Sequence, residues 1–133
     1  MTTRKKQVTV GDYMTRSPAL IGADQPLSLA HQLMRKKRVR HLPVLSGGRL
    51  VGIVSQRDLH LVETLQDVKA SEVRVDEAMS SDVYCVAGDA PLRSVAREMA
   101  KRKLGSAVIV QGTKVVGVFT TVDALRALDQ ALS

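Results

Sequence analysis

Two aspartates of this chain stand in matching surroundings. The first closes Gly52-Ile53-Val54-Ser55-Gln56-Arg57-Asp58, and sixty-five positions later Gly117-Val118-Phe119-Thr120-Thr121-Val122-Asp123 repeats the pattern. In each copy a glycine opens a short apolar run, a hydroxyl residue ends it, and an aspartate follows three positions on. Runs rich in β-branched residues favour a pleated strand, and Ser55 or Thr120 is suited to cap a helix that follows. A helix start carries free N–H groups and attracts anions, phosphate above all. The same spacing is also that of a capping box, in which hydroxyl and acid satisfy each other's backbone donors and nothing is bound. For one copy alone the capping reading is favoured. The repetition shifts the balance toward a pair of sites.

Other chemistry is sparse. His31, His41 and His60 show no ligand spacing, and no Ser-His-acid or Cys-His set is suggested. Cys85 is the only cysteine, falls in a predicted strand and is expected to be buried among apolar neighbours. It has no partner for a disulfide or a structural zinc site. The expectation is a protein that is not an enzyme, with no catalytic residue, no metal and no required cofactor.

The elements that must position the two turns come from the rest of the chain. With 133 residues, 44% hydrophobic and 2% aromatic, it fits one compact domain or two small halves sharing an aliphatic core. No apolar run is long enough to cross a bilayer and the polar start lacks a signal-peptide core, so a cytoplasmic location without membrane contact is expected. The formal charge of +7 makes a polyanion partner a candidate. Arg35-Lys36-Lys37-Arg38 with Arg40, and Lys101-Arg102-Lys103, form the basic clusters at equivalent places of the two halves. A solvated helix end accounts for such runs, since cations complement the C-terminal dipole.

Residues 1–7 read as a flexible basic tail, 8–65 as the first repeat, 66–72 as a linker and 73–133 as the second repeat. Val8, Val10, Met14, Asp24, Pro26, Leu27, Met34 and Gly47 all recur sixty-five positions later, which indicates a duplicated half rather than a solenoid. Each half reads as β-α-β-β-α. Ala19–Ile21 or Tyr84–Val86 is the first strand, and Asp24 and Pro26, or Asp89 and Pro91, start a helix. Its apolar stripe is Leu27, Ala30 and Met34, or Leu92, Val95, Ala96 and Met99. A glycine-turn hairpin follows, from 42–45 to 50–54 and from 107–110 to 115–119. The closing helix spans about 56–65 or 121–132. The class is α/β (α+β), and two equal units of this size are expected to pack about a pseudo-twofold axis that brings the two strand-to-helix turns to a shared cleft.

With its paired Gly-h-x-Ser/Thr-x-x-Asp turns, the phrase Val39-Arg40-His41-Leu42-Pro43-Val44, the Asp-x-Pro-Leu helix starts, and Met14 and Met79 ahead of the first strands, the chain resembles the tandem CBS-domain pair, or Bateman module, from about Val8 to Leu128. Many members of that family bind AMP, ADP, ATP or S-adenosylmethionine, and pairs commonly form disc-like dimers. The resemblance implies that Asp58 and Asp123 accept hydrogen bonds from a ribose diol. Ser55, Thr120 and the adjacent helix-start amides would hold phosphate, and Ile53 and Val118 would contact the base. It further implies that the Asp123 site draws on Ala19, His41, Leu42 and Pro43, and the Asp58 site on Tyr84, Ser106, Ala107 and Val108, with Arg40 or His41 reaching a phosphate.

The second half departs from the pattern, with Val108 in place of Pro43, Gly105-Ser106 in place of Arg40-His41 and Asp82-Val83 in place of Ser17-Pro18. The Asp123 site is therefore expected to be the better phosphate site, with Arg57 partly offsetting the weakness of the other. The leading expectation is a small-molecule sensor that binds an adenine nucleotide or S-adenosylmethionine, forms a homodimer and signals to an unidentified effector protein. The alternatives are a basic nucleic-acid-binding protein, which lacks a recognition helix and stacking aromatics, and a ligand-free dimerisation module.

Overall fold

The structure is a computed structural model that describes residues 7–133. The basic tail expected at 1–7 lies, Gln7 apart, outside the described residues. A single 3-10 turn at Val10–Asp12 leads into β1 (Thr15–Arg16), β2 (Ile21–Gly22), α1 (Leu27–Lys37), β3 (His41–Ser46), β4 (Arg49–Ser55) and α2 (Gln56–Glu63). Then come α3 (Val75–Ala78), β5 (Cys85–Val86), α4 (Leu92–Arg102), β6 (Ser106–Gln111), β7 (Lys114–Thr120) and α5 (Thr121–Leu132). The β-α-β-β-α order thus appears twice in a mixed α+β chain.

Contacts divide the chain into two compact units, Pro18–Val83 and a unit that joins the segment ending at Ser17 to Tyr84–Ser133. These boundaries differ from those of the sequence repeats. In Pro18–Val83 the sheet order is β2-β3-β4, with β2 parallel and β4 antiparallel to β3. The other unit has the order β1-β7-β6-β5, with β5 parallel to β6 and β1 antiparallel to β7. A helix is the crossover each parallel pair requires.

The exchanged segments are held by backbone hydrogen bonds. Pro26 and Pro91 precede α1 and α4 without offering a side-chain cap, so the orphan amides of these helices need other acceptors. Leu27 N–H donates to Val73 O at 2.7 Å, Ser28 N–H to Ala70 O at 3.2 Å, and Leu92 N–H to Val8 O at 2.9 Å. The chain ahead of each repeat therefore caps the first helix of the other one. The same exchange adds a sheet edge: Thr15 pairs with Val118 on β7, and at the equivalent place Ser80 bridges Ile53 on β4, N–H to O at 2.9 Å in both directions.

Each unit has its own cluster of buried hydrophobic residues. In Pro18–Val83 it includes Ile21, Leu27, Ala30, Met34, Leu42, Val44, Val54, Leu59 and Val75. In the other unit it includes Val10, Val95, Met99, Ala107, Ile109 and Phe119. Full burial of a Val, Leu, Ile or Phe contributes about 1.5–3 kcal/mol. The first strands are shorter than expected, two residues each. Ala96 is exposed, leaving Leu92, Val95 and Met99 as the buried or half-buried stripe of α4. Cys85 is exposed, against the expectation of burial. Strand side chains alternate between faces, and Tyr84 and Val86 take the core face of β5, which turns Cys85 outward.

Candidate functional site

The two strand-to-helix turns form as the residue types dictate. Ser55 has extended backbone and caps α2: Asp58 N–H donates to Ser55 Oγ at 3.2 Å, and Ser55 N–H returns a bond to Asp58 Oδ2 at 2.8 Å. The Ser55 hydroxyl also donates to Asp58 Oδ2 at 2.9 Å. Asp58 is half-buried, and its Oδ1 accepts no hydrogen bond among the described residues. One carboxylate oxygen is committed to the cap and the other stands open.

The helix start is more occupied than the sequence implies. Gln56 N–H donates to Arg40 O at 2.8 Å, and the Asp58 amide goes to Ser55. The Arg57 amide lies between them and has no hydrogen-bond partner among the described residues. Arg57 in the first turn of α2 and Arg40, whose carbonyl accepts from Gln56, are both exposed. His41 faces Ser55 across the β3–β4 ladder, half-buried, and its Nδ1 is buried without a hydrogen-bond partner. Burial pushes the His41 pKa below its ordinary value of 6.5; the Asp58 carboxylate pulls it back and the Arg40 cation lowers it further. The imidazole is therefore neutral at pH 7, presenting an uncharged ring beside an open carboxylate oxygen. Ile53 and Ala19 are half-buried in the same unit, while Pro43 and Leu42 are wholly buried in its sheet.

The second turn repeats the cap and adds to it. Thr120 N–H donates to Asp123 Oδ2 at 2.9 Å, its hydroxyl to the same oxygen at 3.2 Å, and Asp123 N–H to Thr120 Oγ1 at 3.4 Å. Thr15 Oγ1 donates to Asp123 Oδ1 at 3.2 Å and lies 3.4 Å from Oδ2. Arg126 Nη1 stands 3.7 Å from Oδ1. Asp123 is only 3% exposed, the one buried charged residue among those described. Thr121 N–H donates to Gly105 O at 3.2 Å, the counterpart of the Gln56–Arg40 bond. Val118 and Val108 are buried in the sheet, Ser106 is half-buried, and Arg102 lies 5.4 Å from the centre of the Tyr84 ring. That distance allows a cation–π contact.

Arg40, His41, Ser55, Arg57 and Asp58 are thus gathered at the α2 turn, and Thr120 and Asp123 at the α5 turn. Thr15 and Arg126 were missed by sequence reasoning. The only available signal for Thr15 was its place after Met14, matched by Ser80 after Met79. A cavity of about 440 Å³ bordered by Asp24, Gly47 and Arg74 includes none of the expected site residues. Among the described residues no three His, Cys, Asp or Glu side chains gather to hold a metal ion, and no helix is long and apolar enough to cross a membrane.

Solved structures with this fold are numerous. A Vibrio cholerae protein assigned to acetoin utilization (AcuB) is 34% identical with a TM-score of 0.84, covering 96% of this chain and 94% of that one. CBSX2, solved in complex with AMP, is 27% identical with a TM-score of 0.79, covering 94% of this chain and 98% of that one. The CBS domain pair of MJ0100, solved with 5-methylthioadenosine and S-adenosyl-L-methionine, shares the fold at a TM-score of 0.86 and 23% identity, covering 95% of this chain and 99% of that one. The chain spans 46% or less of the length of the first curated relatives it matches. The family model of the CBS domain matches twice, over residues 10–62 and 72–130, one match for each capped turn and its β-α-β-β-α frame, so the chain belongs to the CBS-domain family.

Proposed function

We propose that this protein is a regulatory module that binds an adenosine-containing ligand and catalyses no reaction. The observation that carries the reading is the α2 turn. The free Oδ1 of Asp58 and the unpaired amide of Arg57 belong to this turn, Arg40 is tied to it through its carbonyl, and the charges of Asp58 and Arg40 both act on the neutral His41. A carboxylate oxygen accepts from a ribose hydroxyl, while an open helix-start amide and two guanidinium groups suit phosphate. The AMP bound by CBSX2, 27% identical to this chain, supports the same ligand class. Ile53 would lie against the base.

Binding acts as a signal only if the ligand prefers one arrangement of the protein over another. On this reading an effector protein detects that arrangement, and the protein works as a homodimer. The exposed Val122, Leu125, Leu128 and Leu132 of α5 support self-association. The basic runs cap the C-terminal ends of α1 and α4, where cations complement the helix dipole, so they need no nucleic acid to account for them.

The test is a thermal-shift panel of AMP, ADP, ATP, S-adenosylmethionine and GTP, followed by calorimetric titration of any compound that raises the melting temperature. A ligand that binds only the native state raises apparent stability. The expected result is a rise with at least one adenosine compound that exceeds the rise with GTP. Equal responses to ATP and GTP, or no response at millimolar concentration, would overturn the reading.

A further inference from the structure

The aspartates of the two turns differ in two contacts at Oδ1: Arg126 Nη1 stands 3.7 Å from that oxygen of Asp123, where the equivalent position in the first turn is Leu61, and a hydroxyl reaches it from a distant strand. Asp123 receives the hydroxyl of Thr15 on Oδ1 at 3.2 Å and is 3% exposed, whereas Asp58 keeps Oδ1 open and is half-buried. The surrounding backbone is equivalent. Thr15 stands opposite Val118 on β7, and Ser80 stands opposite Ile53 on β4. Yet the hydroxyl of Ser80 makes no hydrogen bond to Asp58. A threonine has fewer open rotamers than a serine, which lowers the cost of keeping its hydroxyl on the carboxylate.

A hydroxyl donating to a carboxylate oxygen is the same contact that one hydroxyl of a ribose diol would make. We propose that Thr15 is an internal competitor for the ligand at Asp123, a specificity residue that makes Asp58 the site of high affinity. The proposal rests on the adenosine-binding reading and adds the order of the two sites, which becomes the reverse of the order expected from the sequence. A diol reaches Asp123 Oδ1 only after the Thr15 hydroxyl leaves it. Because Thr15 lies on the two-residue strand β1, filling the Asp123 site releases a side-chain tie between β1 and the α5 turn. At Asp58 no tie is broken.

Hydrogen bonds to charged groups are the stronger ones, so removing this competitor is worth roughly tenfold in affinity or more. The experiment is calorimetric titration with AMP of the wild type, Asp58→Asn, and Asp58→Asn combined with Thr15→Val or with Thr15→Ala. Thr15 is exposed, and the two replacements remove the same hydroxyl with different shapes, so a folding defect in one leaves the other to be read. The expected result is strong binding by the wild type, weak binding by Asp58→Asn, and recovery of about tenfold in both double variants. If the wild type binds and the double variants bind no better than Asp58→Asn, the competitor role falls and the adenosine reading stands. Asp58→Asn binding as tightly as the wild type would also remove it. Absence of AMP binding in all four proteins would overturn the competitor role, while the adenosine reading is decided separately by the thermal-shift panel with ADP, ATP and S-adenosylmethionine.

Discussion

Gly52 lies directly beneath Met79, so close that a Cβ on the glycine would collide with the methionine Sδ and would stand 2.8 Å from Ser80 O. Gly117 repeats the relationship beneath Met14, with Thr15 O at 3.0 Å from the same hypothetical carbon. The conserved spacing within the chain, Met then Gly in each repeat, is therefore a packing device: only a glycine lets the exchanged segment lie across β4 or β7 and pair with it. Gly52→Ala and Gly117→Ala are each expected to cost about 1–3 kcal/mol of overpacking, read from urea unfolding. Gly47→Ala has nothing within 4 Å of its new carbon but keeps a φ of +57°, and should cost about 1 kcal/mol from backbone strain alone. Equal losses at Gly47 and Gly52 would refute the packing account.

The carboxylates of Asp58 and Asp123 have two tasks if a nucleotide binds, and the tasks separate by substitution. Asp58→Asn retains an acceptor for the cap, so the stability loss should stay within about 1 kcal/mol, while AMP affinity falls by roughly tenfold or more. Ser55→Ala removes the acceptor of the Asp58 amide and should cost about 1 kcal/mol of stability while leaving the Asp58 carboxylate in place. Unfolding curves and calorimetry on the same preparations decide. Asp58→Asn with reduced stability and untouched affinity would mean that the acid is a cap and nothing more.

His41 makes stability depend on pH. Burial lowers its folded pKa below 6.5, so the unfolded chain takes up the proton first as pH falls. Its contribution is complete above pH 6.5 and declines as pH drops from there toward the lowered folded value. Melting temperatures of the wild type and His41→Gln, compared between pH 8 and pH 5, should converge toward the acid side of roughly 6.5. A constant difference across the range would contradict the buried neutral imidazole.

Arg38 and Lys103 end α1 and α4 with left-handed backbone, φ of 56° and 55°. That conformation costs an L-residue about 1–2 kcal/mol relative to glycine, part of which glycine returns through the greater freedom of the unfolded chain. Arg38→Gly and Lys103→Gly are each expected to raise stability by about 0.5–1 kcal/mol, despite removing a cation from the dipole end. Denaturant midpoints would show it, and a fall in both variants would show that the charges outweigh the backbone.

How much of this was readable in advance follows from how far apart the interacting residues lie. The sequence alone determined the duplication, through identities at a fixed offset of sixty-five; it also determined the β-α-β-β-α order, the Gly47-Gly48 hairpin and the Ser55–Asp58 and Thr120–Asp123 caps, because each of these depends on residues within a few positions of one another. Strand propensity, turn conformation and capping are local physics. The tertiary structure decided which segment pairs with which sheet, that Thr15 and Asp123, 108 residues apart, share a hydrogen bond, and that Cys85 faces outward. Two-residue strands carry no period from which register can be read, and a one-residue slip would reverse every side chain. The preference for one aspartate over the other follows from that pairing, since the hydroxyl that closes Asp123 comes from a strand whose partner the local sequence does not name.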